Sequence, residues 1–130
     1  MNVPQIPGCD GMTDWFGSWP SFHDAEILDL YLNRSGKSWV RIHVWIMTDK
    51  VDKGGYYVHE RDAVVTFTME DITDVALADF SGQNVIAGLD VARLENGYRL
   101  DLHPCYGLAG TIDARRLSVA VSPGKPPETR

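Results

Sequence analysis

Strict alternation is the feature that most limits how this chain can fold. Residues 27–33 place Leu28, Leu30 and Leu32 at period two, and residues 38–47 place Val40, Ile42, Val44 and Ile46 in the same way. That period fits strands with one buried face, because apolar residues on a helix recur every three or four positions instead. The intervening Arg34-Ser35-Gly36-Lys37 is short enough to fold the two runs into an antiparallel hairpin. Its other face carries Tyr31, Trp39, Arg41, His43 and Trp45. Tyr, Trp and Arg dominate binding hot spots, since each buries a large area and still offers a directional polar group. Periodicity leaves two readings of that face. Either it is open and binds something, or a second layer containing Trp15, Phe16 and Trp19 covers it and the tryptophans are core. Arg41 and His43 keep the open reading standing beside the covered one, because neither is buried cheaply without a partner.

The remaining segments read in order as follows. Residues 1–12, with two prolines and two glycines, are expected to be a loosely held arm. Thr13 is placed to cap a short helical turn over 14–16, ended by Gly17, and Trp19-Pro20 leads extended into the first strand. Residues 49–62 read as a long connection. Ala63, Val65, Phe67 and Met69 form the inward face of a third strand, and Val75 and Leu77 belong to a fourth. Phe80 is expected to close a corner before the turn Ser81-Gly82-Gln83-Asn84, with a turn and then a strand over 85–94. Asn96-Gly97 signals a tight hairpin into a strand with Tyr98, Leu100 and Leu102 inward and Arg99, Asp101 and His103 outward, ended by Pro104. After Gly107 and Gly110, residues 111–114 and then Leu117, Val119 and Val121 supply the last strands. The proline-rich end lacks apolar content, so residues 1–122 read as a single β domain and 123–130 as a disordered tail. Many short strands and one helical turn predict a mainly β fold, an antiparallel β-sandwich or a partly open barrel.

Composition adds limits rather than a function. A chain of 130 residues with 44% apolar and 23% charged residues is an ordinary globular domain. Neither a membrane-spanning apolar run nor a basic, apolar leader is present in it, which predicts a cytoplasmic protein without membrane contact. Its two cysteines, Cys9 and Cys105, read as free thiols, Cys105 as a small buried hydrophobe. The net charge is -6, and residues 1–33 and 62–92 hold acidic side chains with no Lys or Arg among them. A surface shared by these segments repels nucleic acid and attracts a basic partner. Asp71, Asp74 and Asp79 are then the first acidic candidates for contact.

Chemistry finds little support. His23, Asp24 and Glu26 are tempting as an acid/base or metal cluster, yet on a strand Asp24 and Glu26 share a face that His23 does not. The plainer reading is that His23 and Asp24 hydrogen-bond backbone where the arm enters the sheet. His43, His59 and His103 lack ligand spacing, and Gly54-Gly55 is not followed by Lys-Ser or Lys-Thr, so neither metal nor cofactor is expected. The chain reads as a non-enzyme. A small-ligand or carbohydrate-binding domain that stacks its ligand on Tyr31, Trp39 and Trp45 is the alternative to a protein-binding one.

Phe16-Gly17-Ser18-Trp19-Pro20-Ser21-Phe22-His23-Asp24-Ala25-Glu26-Ile27 resembles the signature of the bacterial immunity protein 50 family, whose members pair with secreted polymorphic toxins. Phe80-Ser81-Gly82-Gln83-Asn84-Val85-Ile86 and Tyr106-Gly107-Leu108-Ala109-Gly110 look like that family's later turn and glycine motifs, in the expected order. Residues 49–60 have no counterpart in it. The resemblance implies a small non-enzymatic protein that binds a toxin domain, one with a basic surface if the acidic residues make the contact. It also implies that Trp19, Pro20, Phe22, His23, Asp24 and Glu26 maintain the fold rather than touch the partner. Monomer and homodimer are both compatible with it.

Overall fold

Alternate burial builds one sheet that closes on itself. The structure, a computed structural model, describes residues 3–126 except for the side chains of residues 49 and 57–59. Helix α1 (Cys9–Phe16) precedes six strands: β1 (Glu26–Tyr31), β2 (Ser38–Val51), β3 (Tyr57–Ala78), β4 (Val85–Leu94), β5 (Gly97–Tyr106) and β6 (Ala109–Pro123). The fold is mainly antiparallel β with a single short helix among the described residues, and its strands form a ring in the order β1-β2-β3-β6-β5-β4. The seam of the ring is thin. β1 and β4 share one registered pair, Glu26 with Val85. Backbone bonds from Ile27 N–H to Asn84 O (2.8 Å), Asp24 N–H to Ile86 O (2.9 Å) and Ile86 N–H to Ala25 O (2.9 Å) complete it.

Inside the ring lie Val40, Ile42 and Val44 of β2, Ala63, Val65, Phe67 and Met69 of β3, Leu100 and Leu102 of β5, and Leu117 and Val119 of β6. The N-terminal segment adds Ile6, Met12, Phe16, Trp19 and Phe22 to the same core. Trp19, Phe22 and Phe67 form an aromatic triangle with centroids 5.9–6.2 Å apart in tilted and edge-on orientations. Such pairs contribute about 0.5–1.5 kcal/mol each beyond the area they bury.

Several expectations are corrected. The arm is not loosely held: Ile6 is buried, Pro7 O accepts from Val119 N–H at 2.9 Å, and the helix begins at Cys9. Gly8, not Thr13, precedes its first turn, in a left-handed conformation (φ 91°) where a Cβ would overlap the Val119 carbonyl. Thr13 instead donates its hydroxyl to Asp10 O at 3.0 Å, and Gly17 ends the helix as expected. In β1, a register shift between Ile27 and Asp29 breaks the alternation: Ile27 is buried, while Leu32 is exposed. The long connection shrinks to residues 52–56, because β2 and β3 run on and pair Val51 with Tyr57.

The third and fourth strands are one. β3 continues through Asp71, whose φ is 59°, and burial steps from Met69 to Ile72 while on β6 it steps from Leu117 to Ala114. Both strands rotate at the same level, and a strict period of two cannot register that. Phe80 closes nothing and is 57% exposed. Residues 85–94 are strand throughout, the hairpin turn falls on Glu95-Asn96 with Gly97 already in β5, and the last strands are one. Pro104 does not end β5. It lies opposite Ile86 between two register shifts, where a missing N–H is tolerated. Cys105 is exposed, and Cys9 and Cys105 are free. Pro123 is the last residue of β6, and residues 127–130 of the expected tail lie outside the described residues.

Candidate binding face

The register of the opening hairpin decides what its non-core side chains do. Tyr31 lies opposite Trp39, Leu30 opposite Val40 and Asp29 opposite Arg41. Across β2, Trp39 meets Thr68, Arg41 meets Thr66 and His43 meets Val64. With Val40, Ile42 and Val44 inside, Tyr31, Trp39, Arg41, His43 and Trp45 are placed on the outer surface of the ring. The N-terminal segment does not cover them. Phe16 and Trp19 are in the core, and Trp15 donates its indole N–H to Arg61 O at 3.0 Å with the Arg61 guanidinium 4.9 Å above its ring.

This face is ordered by its own side chains. Tyr31 and Trp39 stack at 4.4 Å and 26°. Arg41 grips Asp29 in two-pronged fashion, its Nε 2.8 Å from Oδ1 and its Nη2 on Oδ2. Hydrogen bonding to Asp29 raises the Arg41 pKa above its ordinary value; desolvation opposes it and the carboxylate's charge adds to it. His43 Nε2 lies 2.8 Å from Asp62 Oδ2 in a mostly buried pair, and its ring packs 4.9 Å from that of Trp45. Asp29 and Asp62, which sequence reading missed, are thus part of the face. Asp29 was within reach: a hairpin symmetric about residue 35 pairs it with Arg41. Asp62 was not, because it comes from the next hairpin.

The acidic candidates lie elsewhere. β2 leaves β3 at the Ser38–Met69 pair, and Asp71, Asp74 and Asp79 follow beyond it. Asp71 pairs with Arg116 at 2.9 Å; Asp74 lies opposite Asp113, which is bound by Arg99 at 2.8 Å. Hydrogen bonding to Asp113 raises the Arg99 pKa, with the charges of Asp113, Asp101 and Asp74 acting in the same sense. Arg116 of β6 therefore offsets Glu70 and Asp71 within the acidic stretch that looked unbroken in sequence.

The quoted motif segments meet at the seam. Asp24 (φ 67°) and Ala25 bond to Ile86, Ile27 bonds to Asn84, and Asn84 Oδ1 accepts from both Ser81 N–H and Leu108 N–H at 2.9 Å. His23 Nδ1 is 3.3 Å from Ala87 O and its Nε2 is 3.6 Å from Asp24, both side chains being exposed. Trp19 and Phe22 are buried, Pro20 is half-buried, and Glu26 forms the seam pair. These groups contact backbone and core. They do not join the outer face.

Chemically the face offers aromatic area and charge-paired polar groups. Among the described residues no hydroxyl or thiol is bonded to the other ring nitrogen of His43, and no His, Cys, Asp or Glu trio is grouped to hold a metal. The side chain of His59 lies outside the described residues. Grooves of about 410 and 430 Å³ exist, but the first lies around Thr68, Tyr98 and Arg115 and the second between α1 and β6. The aromatic face lines neither. Among the described residues no helix is long and apolar enough to cross a membrane. No protein-family model, curated protein or solved structure matches the chain.

Proposed function

We propose that this chain is a non-enzymatic, immunity-type protein that works in the bacterial cytoplasm by binding and neutralising a toxin protein. The observation that carries the reading is the outward placement of Tyr31, Trp39, Arg41, His43 and Trp45 on paired strands, with Tyr31 stacked on Trp39 and with Arg41 and His43 already paired to carboxylates. Ordering before contact lowers the entropy lost on binding, and the residue types are those of protein hot spots. The resemblance of the seam segments to the immunity protein 50 signature supplies the partner class. A small-ligand reading is less well supported, because small molecules bind in concave sites and the aromatic face lines neither large groove.

The test is co-expression with the toxin domain encoded immediately upstream, scored by survival and by co-purification. Rescue with a stable complex, lost on Trp39→Ala with the fold intact, is the expected result. The absence of both rescue and complex would overturn the reading.

A further inference from the structure

β3 has two partners along its first part and one along its last. From Asp74 to Ala78 it pairs in regular register with Asp113 to Ala109 of β6, while β2 has already departed at Ser38. Among the described residues no backbone hydrogen bond reaches the other edge of this segment. The Ala76 carbonyl lies against β6, where a Cβ at Gly110 would overlap it. Neighbouring residues of an antiparallel strand point their N–H and C=O groups to opposite edges, so those of Val75 and Leu77 project away from β6. Exposed edges are commonly blunted by lysine, proline or a bulge. None of these occurs between Asp74 and Ala78. Pro7 occupies Val119 N–H on β6, and β1 meets β4 at the Glu26–Val85 pair.

We infer that residues 74–78 accept an extended basic segment of a partner protein as an added strand. This deepens the reading of the chain as a protein-binding domain and rests on it for the nature of the partner. Side chains choose the occupant. Val75 and Leu77 lie opposite Ile112 and Gly110 on the core side, with Val75 39% exposed, so an incoming strand covers them with apolar residues. Asp74 on the other face, and Asp79 just past the strand's end, are exposed and, among the described residues, in no ion pair, so an added strand meets negative charge at both ends of the segment. A second copy of this chain would bring its own Asp71, Asp74 and Asp79 to the same junction, and like charges across a strand pair repel. The fitting segment therefore alternates apolar and basic residues.

The full chain is titrated with the peptide Lys-Val-Lys-Val-Lys-Val-Lys while amide hydrogen exchange is followed residue by residue. At ten times its Kd the peptide should slow exchange of Val75 and Leu77 about elevenfold, from a faster starting rate than that of Ala76, which is already bonded to β6. Asp74→Lys should weaken the peptide about two- to fivefold. Val75→Pro, which removes an N–H unused by β6, should abolish protection at Leu77, with the ladder to β6 checked by its own exchange. Trp39→Ala should change nothing here. Unslowed exchange at Val75 and Leu77, or equal protection by Glu-Val-Glu-Val-Glu-Val-Glu, would overturn the inference. Toxin rescue that survives Val75→Pro but not Trp39→Ala would remove the edge and leave the immunity reading standing.

Discussion

Asn84→Ala tests whether the seam holds the ring together. Asn84 is 3% exposed, and its side chain makes three hydrogen bonds: Oδ1 accepts from Ser81 N–H and Leu108 N–H at 2.9 Å, and Nδ2 donates to Ser81 O at 2.8 Å. Truncation leaves the amide of the fully buried Leu108 without an acceptor, which costs about 1–3 kcal/mol. Ser81 is half-buried, so water recovers part of its loss and about 1 kcal/mol remains. The expected destabilisation is about 2–4 kcal/mol. For a domain of this size each kcal/mol moves Tm by about 4 °C, so calorimetry should show a fall of about 8–16 °C and urea titration the matching loss of unfolding free energy. Asn84→Asp separates the two functions of the amide. It keeps both acceptor bonds but sets a buried carboxylate oxygen against Ser81 O in place of the donated bond, which costs more than that bond alone. Asn84→Ala within about 0.5 kcal/mol of the parent, the range of an ordinary surface change, would refute the reasoning.

Gly110→Ala should destabilise by more than about 2 kcal/mol, since φ is 131° and the new methyl would overlap the Ala76 carbonyl; failure to express folded protein, read by circular dichroism, is the extreme form of that outcome. Phe67→Ala, at 0% exposure in the aromatic triangle, should cost about 3–5 kcal/mol in urea unfolding. Trp39→Ala, on the outer face, should cost no more than about 1 kcal/mol, the scale of its stacking with Tyr31. Trp15→Phe should cost about 1–2 kcal/mol through the lost bond to Arg61 O and the weakened cation–π contact.

Alternation alone determined a good deal of this protein. Val40, Ile42 and Val44 of β2 and the odd residues 63–69 of β3 are inside because a pleated strand sends successive side chains to opposite faces. The same rule placed Trp39, Arg41, His43 and Trp45 together and made the hairpin legible from residues 27–47. Tertiary structure decided the rest. That the shared face is outside followed from α1 and Trp19 entering the core, a matter of long-range packing that no local period encodes. The merger of two expected strands into β3 depended on a rotation at Asp71 matched across β6, and the Asp62–His43 pair on a neighbouring hairpin. Separation of the acidic residues from the aromatic ones arose from where β2 leaves β3. Register and strand departure are set by pairing between segments distant in sequence, whereas burial parity is set within each strand.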